Sequence, residues 1–274
     1  MVEVTLRFRG VNLRRLQKQW NVLGETDPLW AIITLPEKRG GKWDPEELFA
    51  WGRDEVERLL SYVQGLGLEI RHETALDFGC GVGRLTQALA DHFDQVHGVD
   101  IALSMVRHAE RFNRHGARCH YHLNAADDLR LFEPDRFDFV YTNVTLQHME
   151  PRYAKRYVVE FLRVMRPGGV LIFQVPSELE PPSGRAAGSR ARRFLKQLLP
   201  GPIVSLNRRF RRVRRWRPGQ PRMEMHGIPK PAVIELLESH GGIVVDVQPD
   251  AWATGWTGFR YCVTKGEAGP LTKR

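Results

Sequence analysis

The stretch ALDFGCGVGRL, residues 75–85, places glycines at positions 79, 81 and 83 directly after an apolar run. Such a run, broken at alternate positions by glycine, reads as a buried strand feeding a tight loop. Glycine takes positive φ without strain and lacks the Cβ that would hold another group away. The spacing departs from the G-x-G-x-x-G dinucleotide fingerprint, whose third glycine stands one position later. The next apolar segment, QVHGVD, ends in Asp100, about 20 residues beyond the loop, where an acid can accept from two ribose hydroxyls. A helix starting after the loop offers unpaired N–H groups and a positive dipole end to an anionic group. Loop and acid together point to a ligand that contains a nucleoside.

From residue 74 onward short strands alternate with helices. The pattern predicts strands at 74–78, 95–99, 119–123, 137–142 and 170–175, with helices at 85–92, 103–113 and 153–165. Alternation of this kind predicts a Rossmann-like α/β fold with helices on both faces of a mostly parallel sheet. Pro167-Gly168-Gly169 reads as the stop of the third helix and the turn into the next strand, and the pattern breaks at Pro176. PAVIELLESHGG adds a last helix, IVVDVQ a strand and GFRYCVTK a final one. Residues 1–70 read as an N-terminal helical extension in which Asp44 caps a helix whose Val56, Leu59, Leu60 and Val63 share a face. The expected organisation is therefore a helical cap at 1–70, a core at 71–177 and 229–266, and a helical insertion at 178–228.

Charge isolates that insertion. Twelve Lys or Arg and no acid lie between Arg185 and Arg217, so without them the net charge of +9 falls to −3. SRARRFLKQLL and IVSLNRRFRRVRRW each place apolar residues such as Phe194, Leu195 and Phe210 on one helical face and arginines on the other. Basic amphipathic helices lie on anionic membrane surfaces, bind nucleic acid, or pack as a lid over an acidic ligand. Of these, nucleic acid is the weaker expectation. No apolar run reaches the roughly 20 residues of a membrane span, and the N-terminus lacks a secretory apolar region. Cys80, Cys119 and Cys262 fit neither a disulfide framework nor a zinc site. A cytoplasmic protein is expected, with the inner membrane surface as its one candidate attachment.

The array Asp77-x-Gly79-x-Gly81-x-Gly83 with Asp100 resembles the class I S-adenosylmethionine-dependent methyltransferases. RFDFVYTNVTLQHM resembles that family's fourth strand and following loop, and EFLRVMRPGGVLIFQVP its helix, Pro-Gly-Gly turn and fifth strand. The resemblance implies a seven-stranded sheet whose last strand, 258–264, is antiparallel. It implies S-adenosylmethionine as cofactor, with the loop against its methionine part and Gly81 allowing close approach. Arg84 or the helix N-terminus would face the carboxylate, Asp77 would orient the loop and the amino group, and Asp100 would hold the ribose with Ile101 on the adenine. Asn143, at the end of the fourth strand, is also assigned to the cofactor. Ala125 stands where the family has an acid for the adenine amino group, which leaves Asn124, Asp127 or Asp128 to substitute.

Methyl transfer to a hydroxyl gains from positioning and from a base that is neutral near pH 7. His148, just past the fourth strand, is the candidate base; its competing role is to cap or pack the next helix. Glu224 and His226 in RMEMHGIP, and Trp252, Trp256, Arg260 and Tyr261 near the last strand, are candidates for the acceptor pocket. No metal site is expected. Asn143-Val144-Thr145-Leu146 stands where methyltransferases of exocyclic base amines carry Asn/Asp-Pro-Pro-aromatic, which disfavours that substrate. DPLWAIITLPEKRGGKWDPEELF and TLQHMEPRY resemble bacterial methyltransferases of glycan or glycolipid assembly, which implies O-methylation of a sugar hydroxyl. The alternatives are a non-sugar secondary metabolite as acceptor, or a protein that binds cofactor or nucleic acid without catalysis.

Overall fold

A computed structural model describes residues 11–179, 223–250 and 255–266. Residues 180–222, which hold the basic stretch with Phe194, Leu195 and Phe210, fall outside these, as do Trp252 and the first ten residues. Seven strands form one sheet in the order β3-β2-β1-β4-β5-β7-β6. They are β1 (Thr74–Phe78), β2 (Gln95–Asp100), β3 (Cys119–Leu123), β4 (Phe137–Thr142), β5 (Met165–Leu179), β6 (Gly242–Asp250) and β7 (Trp256–Lys265). β1 to β5 pair in parallel, and β7 inserts antiparallel between β5 and β6. The strand order reverses between β1 and β4, so the carboxyl ends of β1, β2 and β4 flank a crevice suited to a ligand.

The helices are α1 (Val11–Thr26), α2 (Pro28–Ile32), α3 (Pro45–Gly65), α4 (Arg84–Leu89), α5 (Leu103–Phe112), α6 (Pro151–Val164) and α7 (Lys230–Ser239). α3 starts where Asp44 accepts the Glu47 N–H at 3.1 Å, with Pro45 in the first turn, where its missing N–H costs nothing. Its Val56, Leu59 and Val63 pack with α4 against Ala75, Phe139 and Ile172 on one face of the sheet. α6 and α7 cover the other face through Tyr157, Phe161, Val233 and Leu237. Within the N-terminal segment, α3 is thus one of the layers that bury the sheet. α1 docks on the start of α5, where Asn21 accepts the Ser104 N–H at 3.0 Å and Gln17 donates to the Ile101 carbonyl at 3.1 Å.

Three expectations shift. β5 starts at Met165 and runs through Pro167-Gly168-Gly169, because Met165 already pairs with Phe137 and a bulge absorbs the extra residues before Val170 pairs with Phe139. It also continues past Pro176, with a second irregularity between Pro176 and Glu178 that accommodates a residue lacking an N–H. The core resumes earlier than 229: the His226 N–H donates to the Gln147 carbonyl and that of Ile228 to the Pro176 carbonyl, both at 2.8 Å. Residues 223–229 form a strap along the carboxyl ends of β4 and β5.

At the other edge of the sheet His97 stacks on His120 and His122 with ring centroids 4.8 and 5.1 Å away, and Arg136 approaches His97 Nε2 at 3.1 Å. Burial, then Arg136 and the neighbouring imidazoles, lowers His97 to about 3; burial, then His120 and Arg136, lowers His122 to about 4. The unfolded chain therefore takes up protons that the folded chain refuses. Stability from this edge is full above pH 6.5 and is lost as pH falls toward 4. Urea midpoints should drop between pH 7 and pH 5, and His122→Asn should flatten that slope. An unchanged slope would show that the stack accepts protons without cost.

Candidate active site

Gly79, Gly81 and Gly83 take φ of 79°, 52° and 82°. These are left-handed conformations that a side chain would strain. A Cβ on Gly79 would also stand 2.2 Å from Thr145 Oγ1, so the loop and the segment after β4 close on each other. The Gly79 and Cys80 N–H groups both donate to the Val99 carbonyl, at 2.7 and 3.0 Å, which ties the loop to the end of β2. Asp100 reaches back: its Oδ2 accepts from the Gly81 N–H at 2.9 Å and its Oδ1 from the Ala102 N–H at 2.8 Å. Burial pushes Asp100 up to about 6 even though the N–H groups of Ala102, Gly81 and Ile101 favour its charged form.

Over this loop lies a cavity of about 610 Å³, within the ~300–1,000 Å³ typical of small-molecule sites. Gly79, Gly81, Arg84, Asp100, Ile101, Asn124, Asn143 and His148 all line it. Asp77 and Gly83 stand behind the wall. Asp77 accepts from Thr86 at 2.7 Å and is pushed up to about 7 by burial, so it anchors the loop to α4 and does not face the cavity. Ala125 is also outside the lining. Asp127 and Asp128 pair with Arg156 at 2.9 and 3.8 Å, leaving Asn124 as the one residue of the proposed substitutes that reaches the cavity.

Arg84 does not present a spare charge to the cavity. It pairs with Glu55 of α3 at 2.9 Å, with Arg84 buried and Glu55 partly so. Glu55 also accepts from Tyr141 Oη at 2.8 Å and Asn143 Nδ2 at 2.9 Å. Burial alone would raise Glu55, but the Arg84 charge and these hydrogen bonds prevail and hold it below the usual carboxylate value. Sequence reading missed Glu55 because its partners are 29, 86 and 88 positions away. Beyond Asn143, Val144 takes φ of 58°, an outlier for a β-branched residue, at the lip of the cavity. Strain of this kind, about 1–3 kcal/mol, persists where the surroundings over-determine the backbone, and it gathers at functional sites.

His148 ends the short helical turn Leu146–His148. Its Nδ1 lies 3.0 Å from the Glu224 main-chain carbonyl and its Nε2 3.3 Å from Gln147 Nε2. A carbonyl only accepts, so Nδ1 carries the proton and Nε2 presents a lone pair. The ring meets Trp20 edge-on with centroids 5.3 Å apart, and burial lowers its pKa below the ordinary histidine value. Glu224 therefore contributes its backbone to the site, while its side chain pairs with Arg15 at 3.0 Å. In the strap the residues that line the cavity are Met223 and Met225, and neither Glu224 nor His226 does so. Trp256 sits beside Gly227 at the start of β7, Arg260 pairs with Asp250 at 3.1 Å, and Tyr261 stacks on Phe173 at 4.9 Å. Those three belong to the sheet, and none lines the cavity. The facing wall comes from α1 and residues 31–36, which supply Leu13, Leu16, Trp20 and Ile33.

Residues 75–169 match the family described as a methyltransferase domain. That match takes in the glycine loop, Asp100 and the segment after β4, about a third of the chain. Trans-aconitate 2-methyltransferase of Azoarcus is 36% identical over 115 residues, 41% of this chain and 42% of that protein. Ubiquinone biosynthesis O-methyltransferase of Coxiella burnetii is 31% identical over 160 residues, 57% of this chain and 56% of that one. The chain thus spans about half the length of the curated relatives it matches. Among solved structures, magnesium protoporphyrin IX methyltransferase of Synechocystis with bound SAH superposes with a TM-score of 0.57 at 16% identity, over 92% of this chain and 98% of that one. That likeness establishes the seven-stranded methyltransferase fold.

Proposed function

We infer that the chain is an S-adenosylmethionine-dependent O-methyltransferase with His148 as general base. The observation that carries this reading is the tautomer of His148: the Glu224 carbonyl favours the proton on Nδ1 and leaves the Nε2 lone pair to the Gln147 amide at 3.3 Å, a contact that an acceptor hydroxyl in the cavity lined by both residues would replace. The residues present fit the cofactor. Asp100 can receive two ribose hydroxyls on its remaining lone pairs, Asn124 and Ile101 flank the adenine position, and Asn143 Oδ1 is a buried acceptor without a partner, suited to an ammonium. Bound there, the cofactor would supply a methyl group activated on a sulfonium. The protein's part is to align the acceptor oxygen and take its proton at Nε2. Among the described residues, no group of three His, Cys, Asp or Glu side chains could hold a metal ion.

Of the acceptors raised by the sequence, the cavity supports a ring-bearing, largely apolar molecule better than a sugar. A sugar's several hydroxyls would face Leu13, Leu16, Met149, Met223 and Met225 without partners, and each polar group desolvated in that way costs about 1–3 kcal/mol. Contact with an anionic membrane rests on the charge of residues 185–217 alone. Cosedimentation should show binding to anionic vesicles that salt reverses; equal binding to neutral vesicles, or none to either, overturns it.

Calorimetry with S-adenosylhomocysteine tests the cofactor reading. Micromolar affinity is expected, about −8 kcal/mol, and Asp100→Ala should weaken it by about 1.5–3 kcal/mol, the worth of hydrogen bonds to a charged group. Only ionised Asp100 accepts from both hydroxyls, so affinity should be flat above pH 7 and fall as pH drops through about 6. Absence of binding by the wild-type chain overturns the reading.

A further inference from the structure

The strap alternates Met223, Glu224, Met225 and His226. Its two methionines line the cavity, and the backbone between and beside them does the holding. The Glu224 carbonyl accepts from His148 Nδ1, and the His226 N–H donates to the Gln147 carbonyl. The far end of the strap is wedged more firmly. Ile228 is buried and bonded to the Pro176 carbonyl, and a Cβ on Gly227 would stand 2.5 Å from the Ser177 carbonyl oxygen.

The methionines of the described residues fall into two groups. Met105, Met149 and Met165 are 1, 6 and 0% exposed, whereas Met223 and Met225 are only half-buried. Met223 packs with Trp20, Ile32 and Ile33, and Met225 shares the cavity lining with Leu13 and Leu16. A thioether suits such a wall because it is soft and apolar. Its sulfoxide is polar, and among these side chains the new oxygen would stand desolvated.

We propose that Met223 and Met225 form a reversible oxidation site that unlatches the strap. A hydroperoxide is the oxidant. The sulfur lone pair attacks one peroxide oxygen, the O–O bond breaks, and the proton of the transferred oxygen passes to the departing one, which leaves as water or an alcohol. Sulfur gives up two electrons and gains an S–O bond. Two thiols reverse the step, and they leave as a disulfide and water. Solvation of the new oxygen favours residues 223–226 swung off the cavity, which parts the Glu224 carbonyl from His148 and His226 from Gln147. The site itself does not depend on the methyltransferase reading. Its effect on turnover, through the lost partner of Nδ1, does.

The test treats the full chain with hydrogen peroxide, maps sulfoxides by mass spectrometry and follows amide hydrogen exchange. Met223 and Met225 should be oxidised ahead of the three buried methionines. The His226 N–H should then exchange about tenfold or more faster, the effect of an unpaired buried polar group on a local opening, while the Ile228 N–H keeps its rate. A thiol-dependent methionine sulfoxide reductase should restore slow exchange. In the double variant Met223→Leu, Met225→Leu, a swap that keeps the volume and polarity of the wall, peroxide should leave His226 exchange unchanged. Earlier oxidation of the buried methionines, sulfoxides at 223 and 225 with unaltered His226 exchange, equal acceleration at Ile228, or the same response in the double variant overturns the proposal. Should that variant fail to fold, the wild-type map and exchange rates still decide. Failure of S-adenosylhomocysteine to bind overturns the methyltransferase reading and leaves the oxidation site standing.

Discussion

Replacing His148 with alanine is expected to lower turnover by about 10²–10⁴-fold, the usual worth of a positioned general base, with affinity for S-adenosylhomocysteine unchanged. The imidazole is neutral in the folded protein because burial opposes the imidazolium, against the Glu224 carbonyl, which favours it. Its pKa therefore lies below the ordinary value of 6.5, and a base works only when unprotonated. Turnover should hold constant from pH 8 down past 6.5 and decline only at more acid pH. In His148→Ala that acid limb should vanish. Methyl transfer by the variant at the wild-type rate, or an acid limb that survives the substitution when cofactor is saturating at every pH so that Asp100 does not contribute, would return His148 to a packing role against Trp20.

Removing Glu55 should have the largest effect on stability. Arg84 is 6% exposed, and its Nε already lacks a partner. Glu55→Ala leaves that charge buried without a counterion, a situation that costs about 3–5 kcal/mol. Tyr141 Oη and Asn143 Nδ2 lose their acceptor at the same time. Equilibrium unfolding in urea measures the loss, and a decrease below about 1 kcal/mol would show that Arg84 finds water or another partner. Cofactor affinity should fall as well, because Glu55 orients Asn143 and fixes the first turn of α4 beside the loop.

The sheet was legible because its signals are local. The apolar runs at β1, β2 and β4, the glycines at 79, 81 and 83 and the acid at 100 each follow from spacing within a few residues, and they place the crevice. The acceptor side was not legible in the same way. RMEMHGIP drew attention to Glu224 and His226 for their chemistry, whereas the cavity takes the alternate residues Met223 and Met225, and the parity of an extended segment cannot be read without its neighbours. Arg260 and Tyr261 looked like pocket residues near a strand end, yet they pair with Gln174 and Phe173 in a strand that β5 separates from the crevice between β1 and β4. The wall from α1 did leave a trace. Leu13, Leu16, Trp20 and Leu23 recur at helical spacing and mark a face that needs a partner, but nothing local says that the partner is the cavity. Glu55 left no trace, since a lone glutamate on an amphipathic helix has the spacing of a solvated one.

The group that orients the base is a main-chain carbonyl. Any L-residue at 224 supplies the same oxygen, so a search for a carboxylate paired with this histidine would pass over the site. Variation at 224 would alter the bridge to Arg15 and the anchoring of α1, and the imidazole would keep its proton on the same nitrogen. The proposed pair of base and carbonyl is thus written in the path of the strap, in the turn that brings residue 224 over residue 148, and no alphabet of side chains records it.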